Sequence, residues 1–468
     1  MLLSHPLTEH TSINGWRSPC AQTVFVRHSG KRPTQRLSSN RARASAAGPD
    51  VIVVGGGAAG LTAAYFAASA GAQVTVLERS KEAGNKVLIS GGTRCNVLPM
   101  HVDLNKDYFT ESSRSALKAV FASWSLEQCK IWLESSDHIG IPLACELADS
   151  KYFPVSNSAK EVRDKILQAC LKRGVKIRYN AGLERLQSPD SVRWQCSLAD
   201  GKMLEAKRIV VASGGLSYPH LGTDGSGHRI MSKLGHSMQP MYPALTPLKG
   251  PHPGGQQLAG LSLYSVEAAA MIKDRQKGKR KATTAARAGL LFTHRGYSGP
   301  AVLDLSHHAI MAAARGLDKP VIKMNWTGQS VESWRELLDG SQGGAAGVGA
   351  VLHRHGLPKR LADALCQEAN VTGTPLAQLK KADRVKLLEF LTSYPLPITG
   401  HEGYPKAEVT GGGIPLSEIN CSTMQSRRIK GLYLCGEICD VFGRIGGFNF
   451  YWAWLSGRLA GVSAALDA

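Results

Sequence analysis

The stretch Asp50–Ala72, "DVIVVGGGAAGLTAAYFAASAGA", decides the fold, and it carries no charge after its first residue. A membrane helix needs roughly 20 apolar residues in one helical run, but glycines interrupt this stretch after the short β-branched run Val51–Val54. Such a run is typical of a buried parallel strand. A helical segment to Ala70 and a second strand, Gln73–Glu78, follow it. The stretch therefore predicts a β-α-β unit and no membrane span.

The glycine spacing within this unit predicts a dinucleotide-binding site. Gly55 permits the sharp turn from strand to helix, Gly57 lets a pyrophosphate approach the backbone, and Gly60 lets the helix pack closely on the strand. The helix N-terminus at Ala58–Ala59 offers unpaired N–H groups and a partial positive charge to the diphosphate. Glu78, at the end of the second strand, is placed to bind the hydroxyls of an adenosine ribose.

Composition limits the class of protein. The chain has 468 residues, of which 43% are hydrophobic and 20% are charged. These values predict a globular protein of two or three domains. The ten cysteines show no zinc-finger or Cys-x-x-Cys spacing, so we expect reduced thiols and no metal site. Cys435 and Cys439 leave a redox pair open as an alternative to ordinary buried thiols.

Residues 1–49 differ from the rest of the chain. They contain seven Lys or Arg, one acid (Glu9) and many Ser and Thr, without a periodic apolar face. This composition is typical of a disordered organelle transit peptide, with removal expected near Ala44–Ala47. The Ser content favours the chloroplast over the mitochondrion. A disordered arm on a protein that is not imported is the alternative.

The formal net charge is +20, and 49 basic against 35 acidic residues leave about +14 beyond residue 49. Much of this excess lies in Lys273–Arg287, which we interpret as a solvated loop between two strands. A positive excess favours phosphate-rich ligands or RNA. The sequence contains no recognisable RNA-binding module, so it does not favour a nucleic-acid partner.

The segment after Glu78 distinguishes FAD from NAD. A nicotinamide-binding domain continues into a third strand, whereas Lys81–Pro99, "KEAGNKVLISGGTRCNVLP", is a glycine-rich loop. Such a loop can follow an extended flavin nucleotide, with Arg94 near a phosphate or the ring. The residues predicted to contact the cofactor here are Arg79, Lys86, Ser90, Gly91, Arg94, Cys95 and Asn96. An ordinary surface loop is the alternative.

Distant segments complete the prediction of an FAD site. Arg208–Pro219 and Lys430–Asp440 each contain a buried strand that ends in glycine, and the second ends in Gly436-Glu437. In two-segment flavin folds that acid binds a ribityl hydroxyl. Gly443–Gly461 begins a helix after a double glycine, and its N-terminus can stabilise negative charge on a reduced ring. The predicted contacts are Ser213, Gly214, Gly436, Glu437, Gly446, Gly447, Phe448 and Asn449.

These motifs resemble the BaiN-type family of NAD(P)/FAD-dependent oxidoreductases, within the flavoproteins with two dinucleotide-binding domains. The matching pieces span residues 51–461 and include "VIVVGGGAAG", "KVLISGGTRCNV", "SGGLSYPHLGTDGSGHRIMSKLGH", "EVTGGGIPLSEIN" and "GLYLCGEICDVFGRIGGFNFYWAWLSGRLAG". The chain departs from the family at Thr93, where another glycine or small residue is common. It departs again at "NVLP", where the family usually has Asn-Ile/Val-Thr-Asn.

The resemblance implies an α/β fold with a Rossmann-like FAD-binding domain in two sequence segments and an inserted β-rich plus helical region. The expected ranges are 50–239 and 401–468 for the two FAD-binding segments, 240–338 for the β-rich subdomain and 339–400 for the helical one. "LLFTHRGYSGPAVLDLS" is expected to form short strands, and Asp339–Ala350 to form a linker. With no second glycine triplet, NAD(P)H is expected to dock transiently against the flavin.

The resemblance also implies an FAD-dependent oxidoreductase that transfers hydride through flavin N5, using NAD(P)H, to or from a small organic substrate. The predicted catalytic residues are His294, as proton donor, with Arg94 and Tyr297; further candidates are Tyr218, His220, Arg295 and Arg444. Two alternatives stay open: an RNA-associated flavoprotein that serves nucleic-acid modification, and a flavin-binding sensor without turnover. The sequence does not predict the oligomeric state.

Overall fold

A computed structural model describes residues 48–147, 150–188, 193–255, 257–273, 280–284, 287–314, 318–339 and 345–468. The predicted transit peptide and its cleavage site lie outside these residues, apart from residues 48 and 49. The strands before residue 239 are β1 (Val51–Val54), β2 (Val74–Leu77), β3 (Leu98–Pro99), β4 (Tyr108–Phe109), β5 (Leu143–Glu146), β6 (Lys151–Pro154), β7 (Lys176–Arg178), β8 (Leu183–Gln187), β9 (Trp194–Leu198), β10 (Met203–Ala206) and β11 (Arg208–Val211). The helices are α1 (Ala58–Ser69), α2 (Asn85–Ile89), α3 (Leu104–Asp107), α4 (Arg114–Phe121), α5 (Leu126–Glu134), α6 (Ala159–Lys172) and α7 (Ser226–Lys233).

The middle of the chain contains both strands and helices. Its strands are β12 (Gln239–Ala244), β13 (Leu248–Lys249), β14 (Ser262–Lys273), β15 (Arg280–Thr284), β16 (Ala288–Thr293), β17 (Gly296–Ser298), β18 (Val321–Asn325), β19 (Tyr394–Pro395) and β20 (Gly400–His401). Its helices are α8 (Pro300–Ala314), α9 (Val331–Leu337), α10 (Val348–Arg354), α11 (Lys359–Ala369) and α12 (Lys381–Thr392). The C-terminal part contains β21 (Val409–Gly413), β22 (Ile419–Asn420), β23 (Gln425–Ser426), β24 (Leu432–Leu434), β25 (Phe442–Gly443) and α13 (Phe448–Leu466).

The sheet that carries the glycine motif has the strand order β22-β23-β24-β11-β1-β2-β7. The strands from β24 to β7 are parallel, as the β-α-β interpretation requires. Ile209 pairs with Ile52 on one side and with Leu432 on the other, so the C-terminal strand completes a sheet begun by the first segment. The predicted fold class, a Rossmann-like domain in two sequence segments, is confirmed.

Helix α13 packs directly across α1, because glycines bring the two backbones together. A Cβ added at Gly457 or Gly461 would overlap the carbonyl oxygens of Ala59 and Ala63. The faces are otherwise apolar, and Trp452 and Trp454 are buried between neighbouring elements. The C-terminal helix is therefore part of the FAD-binding half of the molecule, as the sequence predicted.

The inserted region forms its own sheet, in the order β19-β18-β14-β16-β17-β13-β20, with β15 paired to β14. Helices α8–α12 supply a second hydrophobic core with it. The prediction of strands throughout "LLFTHRGYSGPAVLDLS" is wrong for its second half, because Pro300 starts a helix there. Proline is favoured at the first helical position, and "AVLDLSHHAI" presents enough apolar side chains to bury the helix. Within the predicted linker, residues 340–344 lie outside the described part, and Val348 already begins α10.

Three further findings limit the class of protein. Among the described residues, no helix combines the length and the apolar character that a bilayer span requires, and no cluster of three or more His, Cys, Asp or Glu side chains is positioned to bind a metal ion. Cys435 and Cys439 are both free, fully buried thiols, and burial raises the pKa of each above its usual value. They are ordinary core thiols in this structure.

Candidate functional site

A cavity of ≈ 370 Å³ opens where β1, β2, β11 and β24 end, the edge at which open parallel sheets bind their ligands. Most of the predicted cofactor residues line it. They are Gly55, Gly57, Ala58, Ala59, Glu78, Arg79, Lys86, Ser90, Gly91, Asn96, Ser213, Gly214, Gly436, Glu437, Gly446, Gly447 and Asn449. The two distant sequence segments thus meet at one site.

The glycine turn fits a diphosphate. A Cβ at Gly57 would meet no atom within 4 Å, so the backbone there faces open space. Gly60 lies outside the lining, because a Cβ at this position would overlap the carbonyl oxygen of Gly55. Its role is helix–strand packing, as predicted. Ser213 lines the cavity, and its buried Oγ has no hydrogen-bond partner in the described part of the chain. An unsatisfied buried hydroxyl at this position fits a polar cofactor.

Glu78 is held in place by the loop that it faces. Its Oε2 accepts from the Gly56 N–H at 2.8 Å, and its Oε1 accepts from the Ser80 N–H at 2.8 Å. This arrangement directs the carboxylate to the cavity wall, where a ribose diol would lie. Arg79 is engaged separately, since its guanidinium contacts Asp224 at 2.5 Å and Ser226 at 2.9 Å.

Lys86 and Glu437 form an ion pair across the cavity wall, with 2.6 Å between Nζ and Oε2. The other carboxylate oxygen of Glu437 accepts from the Thr410 N–H at 2.8 Å. Lys86 lies on α2, within the segment that the sequence predicted to be a loop, and the pair joins this helix to the turn after β24. We predicted Glu437 as a ribityl ligand; here it lines the cavity with both oxygens already engaged.

The N-terminus of α13 closes the other end of the cavity. Gly446 and Gly447 both have positive φ, and a Cβ at Gly447 would lie 2.5 Å from the backbone carbon of Leu98. Asn449 accepts from the Gly443 N–H at 2.8 Å and donates to the Gly443 carbonyl at 2.9 Å. These contacts fix the turn that presents the helix N-terminus, the end at which a helix attracts negative charge.

Among the other predicted cofactor residues, Arg94, Cys95 and Phe448 do not line the cavity. Arg94 forms an ion pair with Glu146 and lies over the Phe153 ring at 4.1 Å. Cys95 is fully buried, and burial raises the pKa of its thiol to about 12. Phe448 packs edge-on against Tyr108 at 5.8 Å, so it is a core residue.

The predicted catalytic residues of the inserted region lie away from the cavity lining. His294 is exposed at the tip of the β16–β17 hairpin, and Arg295 beside it pairs with Glu402 at 3.4 Å. Tyr297 is buried and donates its hydroxyl to the Pro251 carbonyl. The polar residues in "FTHRGYSGP" therefore form a hairpin turn and its packing.

Sequence reasoning missed Glu408, which lines the cavity directly before β21. The Tyr218 hydroxyl, also on the lining, donates to Glu408 Oε1 at 3.2 Å. Burial raises the pKa of the Glu408 carboxyl above its ordinary value, against the opposing charge of Lys86. Burial likewise raises the pKa of Tyr218. An acid directly before a buried strand, "AEVTGGG", was the available signal.

Asp304 anchors the inserted region to the turn before α13. Its Oδ1 accepts from the Ile445 N–H at 2.7 Å, and its Oδ2 lies 3.4 Å from Arg444 Nε. Burial raises the pKa of Asp304 to about 6, although the Arg444 guanidinium opposes this. Leu303, its neighbour on α8, lines the cavity. Helix α8 of the inserted region thus contributes to the wall of the site.

The residues present fit FAD, since the cavity offers an open glycine turn, a fixed acid at the ribose position, an unsatisfied hydroxyl and a second helix N-terminus. Comparisons with known proteins also support an FAD-binding protein. The family model described as the HI0933-like protein Rossmann domain matches residues 49–463.

Two curated relatives share one name. The ribosomal RNA dihydrouridine synthase of Escherichia coli K12 is 31% identical over 420 residues, covering 87% of this chain and 96% of that protein. The Haemophilus influenzae protein of the same name is 30% identical over 427 residues, covering 88% and 97%. The 3-dehydro-bile acid delta(4,6)-reductase of Clostridium scindens is 28% identical over 427 residues, covering 88% and 98%. The chain belongs to the HI0933-like Rossmann family and is an FAD-dependent oxidoreductase.

Proposed function

We propose that this protein reduces the C5=C6 bond of uridine in ribosomal RNA, with FAD as cofactor and NAD(P)H as reductant. The observation that carries the proposal is the likeness, over nearly the full length of each relative, to two proteins named for this reaction. It favours the alternative that the sequence left open, an RNA-associated flavoprotein that serves nucleic-acid modification, over the expected small-molecule substrate. The net charge of about +14 beyond residue 49 supports a polyanionic substrate.

The chemistry of the relatives has a common element. Dihydrouridine differs from uridine by two hydrogens at a double bond conjugated to a carbonyl. The bile-acid relative is named as the reductase of double bonds in a 3-oxo compound. Either reduction adds one hydride and one proton, so the site needs a proton source as well as a cofactor. Bound FAD supplies the hydride transfer.

Glu408 is the proton source that the cavity offers. It lines the wall, its Oε1 accepts from the Tyr218 hydroxyl at 3.2 Å, and burial raises the pKa of its carboxyl towards the range that suits a general acid. The other acids of the described lining are engaged elsewhere. Glu78 accepts backbone N–H groups, Glu437 pairs with Lys86, and Glu82 pairs with Arg163 at 3.2 Å.

A complementation experiment tests the proposal. The chain without residues 1–49 is expressed in an Escherichia coli strain that lacks its own ribosomal RNA dihydrouridine synthase, and ribosomal RNA nucleosides are measured by mass spectrometry. We expect dihydrouridine to return. Glu78→Ala, which removes the ribose acid, serves as the inactive control. Stable, yellow protein with no dihydrouridine in the ribosomal RNA would refute the substrate.

A second candidate is a small conjugated ketone, favoured by the 28% identity to the bile-acid reductase. Anaerobic mixing with NADH or NADPH, followed at about 450 nm, tests whether either reductant bleaches the bound flavin. Reoxidation of the bleached protein by a 3-oxo-4,6-diene steroid but not by uridine-containing RNA would select this candidate. Flavin that neither nucleotide bleaches would instead indicate a sensor without turnover.

We further propose that residues 1–49 direct import into the chloroplast, with the mitochondrion as the alternative. Seven basic residues against one acid support a transit peptide, and the Ser content favours the plastid. A fusion of residues 1–49 to a fluorescent protein tests this in plant cells. We expect fluorescence in chloroplasts, and a diffuse cytosolic signal would contradict the proposal.

A further inference from the structure

One face of the inserted sheet is open to solvent. We define the outer face as Lys249, Ser262, Tyr264, Leu291, Thr293, Ser298 and Lys323, with the adjoining turn residues His294 and Arg295. The register places Ser262, Leu291 and Ser298 in one row across β14, β16 and β17. The alternating residues Leu263, Leu290 and Phe292 are buried on the opposite face. The helices of the region cover that opposite face, which leaves the outer one uncovered.

Tyr264 stands out on this face. It is 94% exposed, the largest exposure among the large hydrophobic side chains of the described residues, and Leu291 beside it is 37% exposed. A register shift between Leu263 and Val266 marks a bulge in β14, which turns both Tyr264 and Ser265 outward. Bulges commonly redirect a side chain for a purpose outside the sheet. An aromatic ring on an open sheet is the platform on which proteins stack unpaired bases.

Basic side chains lie at other positions on the same face. Arg295 is 71% exposed, Lys249 lies on β13 at the row of Thr293, and Lys323 lies on β18 opposite Ala269. Glu402 accompanies Arg295 at 3.4 Å and Lys249 at 3.8 Å. Among the described residues, Glu267 is a further exposed acid on β14. Of these described side chains, three are cations and two are acids, and the positive excess favours phosphate.

The same sheet continues into the most basic part of the sequence. Strands β14 and β15 pair in antiparallel fashion, with Lys273 opposite Arg280. The sequence Lys273–Arg287 contains seven Lys or Arg and one acid. The interpretation of this run as a solvated loop is wrong for residues 280–284, which form β15, while residues 274–279 and 285–286 lie outside the described part. The long strand β14 therefore connects the tyrosine to a strongly cationic sequence.

The outer face also adjoins the cavity. Arg295 contacts Glu402, and two residues further along the chain the carbonyl of Tyr404 accepts from the Tyr218 N–H at 3.0 Å. Tyr218 lines the cavity beside Glu408. His220 and Lys406, which flank this contact, are exposed. The path from the open face to the proton source therefore runs through three contacts: Arg295 to Glu402, Tyr404 to Tyr218, and Tyr218 to Glu408.

We propose that the outer face binds unpaired RNA, with a base stacked on Tyr264 and phosphates held by Lys249, Arg295 and Lys323. This inference rests on the proposed function, because a reductase of a base in ribosomal RNA must hold a strand from which that base is extruded. The occupant is single-stranded because Tyr264 can stack only on a base whose face is exposed, and stacking between neighbouring base pairs covers that face inside a duplex.

Fluorescence anisotropy with a labelled oligouridylate of about 12 nucleotides tests the surface on the FAD-bound protein. We expect Tyr264→Ala to weaken binding about tenfold at every salt concentration, because it removes stacking and no charge. Arg295→Gln and Lys323→Gln should each reduce the slope of log Kd against log salt by about 0.7, the value for one phosphate contact on a single strand.

Matched controls lie on the other half of the molecule. Tyr179→Ala changes a tyrosine that is 39% exposed, and Lys172→Gln changes an exposed lysine. Both should bind oligouridylate as the unmodified protein does, and all variants should retain their flavin absorbance. Unchanged affinity and unchanged salt slope in the three outer-face variants would overturn the proposal, as would equal losses in the controls. A duplex RNA that binds more tightly than oligouridylate would also overturn it.

The outcomes separate this inference from the proposed function. If Tyr264→Ala loses oligouridylate binding but complementation restores no dihydrouridine, the surface stands and the proposed reaction fails. If complementation succeeds and Tyr264→Ala binds oligouridylate and forms dihydrouridine as well as the unmodified protein, the reaction stands and the surface fails.

Discussion

The FAD-binding half and the inserted region obey different constraints. In the first, backbone meets backbone: α1, α13 and β1 approach so closely that glycines are required. In the second, side-chain packing determines the structure, because helices cover one face of a sheet and leave the other face exposed to solvent. The cofactor cavity depends on backbone geometry, whereas the proposed RNA surface depends on exposed side chains. Substitutions should therefore act differently in the two parts.

The largest expected effect lies at the helix–strand contact. Gly60→Val should destabilise the protein by about 4 kcal/mol or more, because its Cβ would overlap the Gly55 carbonyl oxygen. Thermal unfolding and flavin content measure this. Gly57→Ala is the matched variant: its Cβ meets no atom within 4 Å, so the fold should persist while FAD affinity falls about tenfold or more. Normal flavin content in both variants would contradict the backbone account.

The next effect lies where the two parts meet, at Asp304. Its folded-state pKa of about 6 lies above the ordinary 3.8, so the native state binds the proton more tightly than the unfolded chain. The resulting stabilisation is present below pH 3.8 and is lost as pH rises through about 6. Asp304→Asn cannot titrate. Its stability relative to the unmodified protein should therefore rise by about 3 kcal/mol from about pH 4 to about pH 8.

Urea unfolding of both proteins across this pH range measures the difference. Subtracting the two curves removes the titration of all other carboxyls that the substitution leaves unchanged. Parallel curves would show that the carboxyl of Asp304 titrates as an ordinary one, and that the junction is not sensitive to proton binding.

The predicted proton source gives a smaller effect, confined to one half-reaction. Glu408→Gln should slow substrate reduction about 100-fold, in the range for general acids, and leave flavin reduction by NAD(P)H unchanged. Tyr218→Phe keeps the Glu408 carboxyl and should slow substrate reduction by less, about tenfold. Anaerobic stopped-flow spectroscopy measures the rate of each half-reaction separately in both variants. Equal slowing of both would assign Glu408 to holding the cofactor.

The smallest effect tests a sequence-based prediction. His294→Ala should change stability by less than about 0.5 kcal/mol and flavin reduction by less than about twofold, because the side chain is exposed on a hairpin turn outside the cavity lining. A loss of turnover comparable to that of Glu408→Gln would restore His294 as the proton donor and reassign the hairpin to the active site.

The sequence predicted the FAD-binding half well because the chemistry there depends on local patterns. Gly55, Gly57 and Glu78 follow one another at a spacing that the turn itself requires, and all three line the cavity. The failures come from contacts across long sequence distances. Arg94 looks like a phosphate ligand until Glu146 is seen beside it. Glu408 directly precedes a buried strand, but its partner Tyr218 is remote in sequence, so the sequence did not bring these two residues together.

The order of strands in the large sheet has a consequence for biosynthesis. During translation, β11 emerges long before β24, its neighbour on one side. Until the C-terminal strand and α13 leave the ribosome, β11 has an unpaired edge and α1 lacks its apolar cover, which are the conditions under which incomplete chains associate. We therefore expect chaperone dependence for nascent chains, and chains truncated before β24 should accumulate as aggregates rather than as a smaller folded protein.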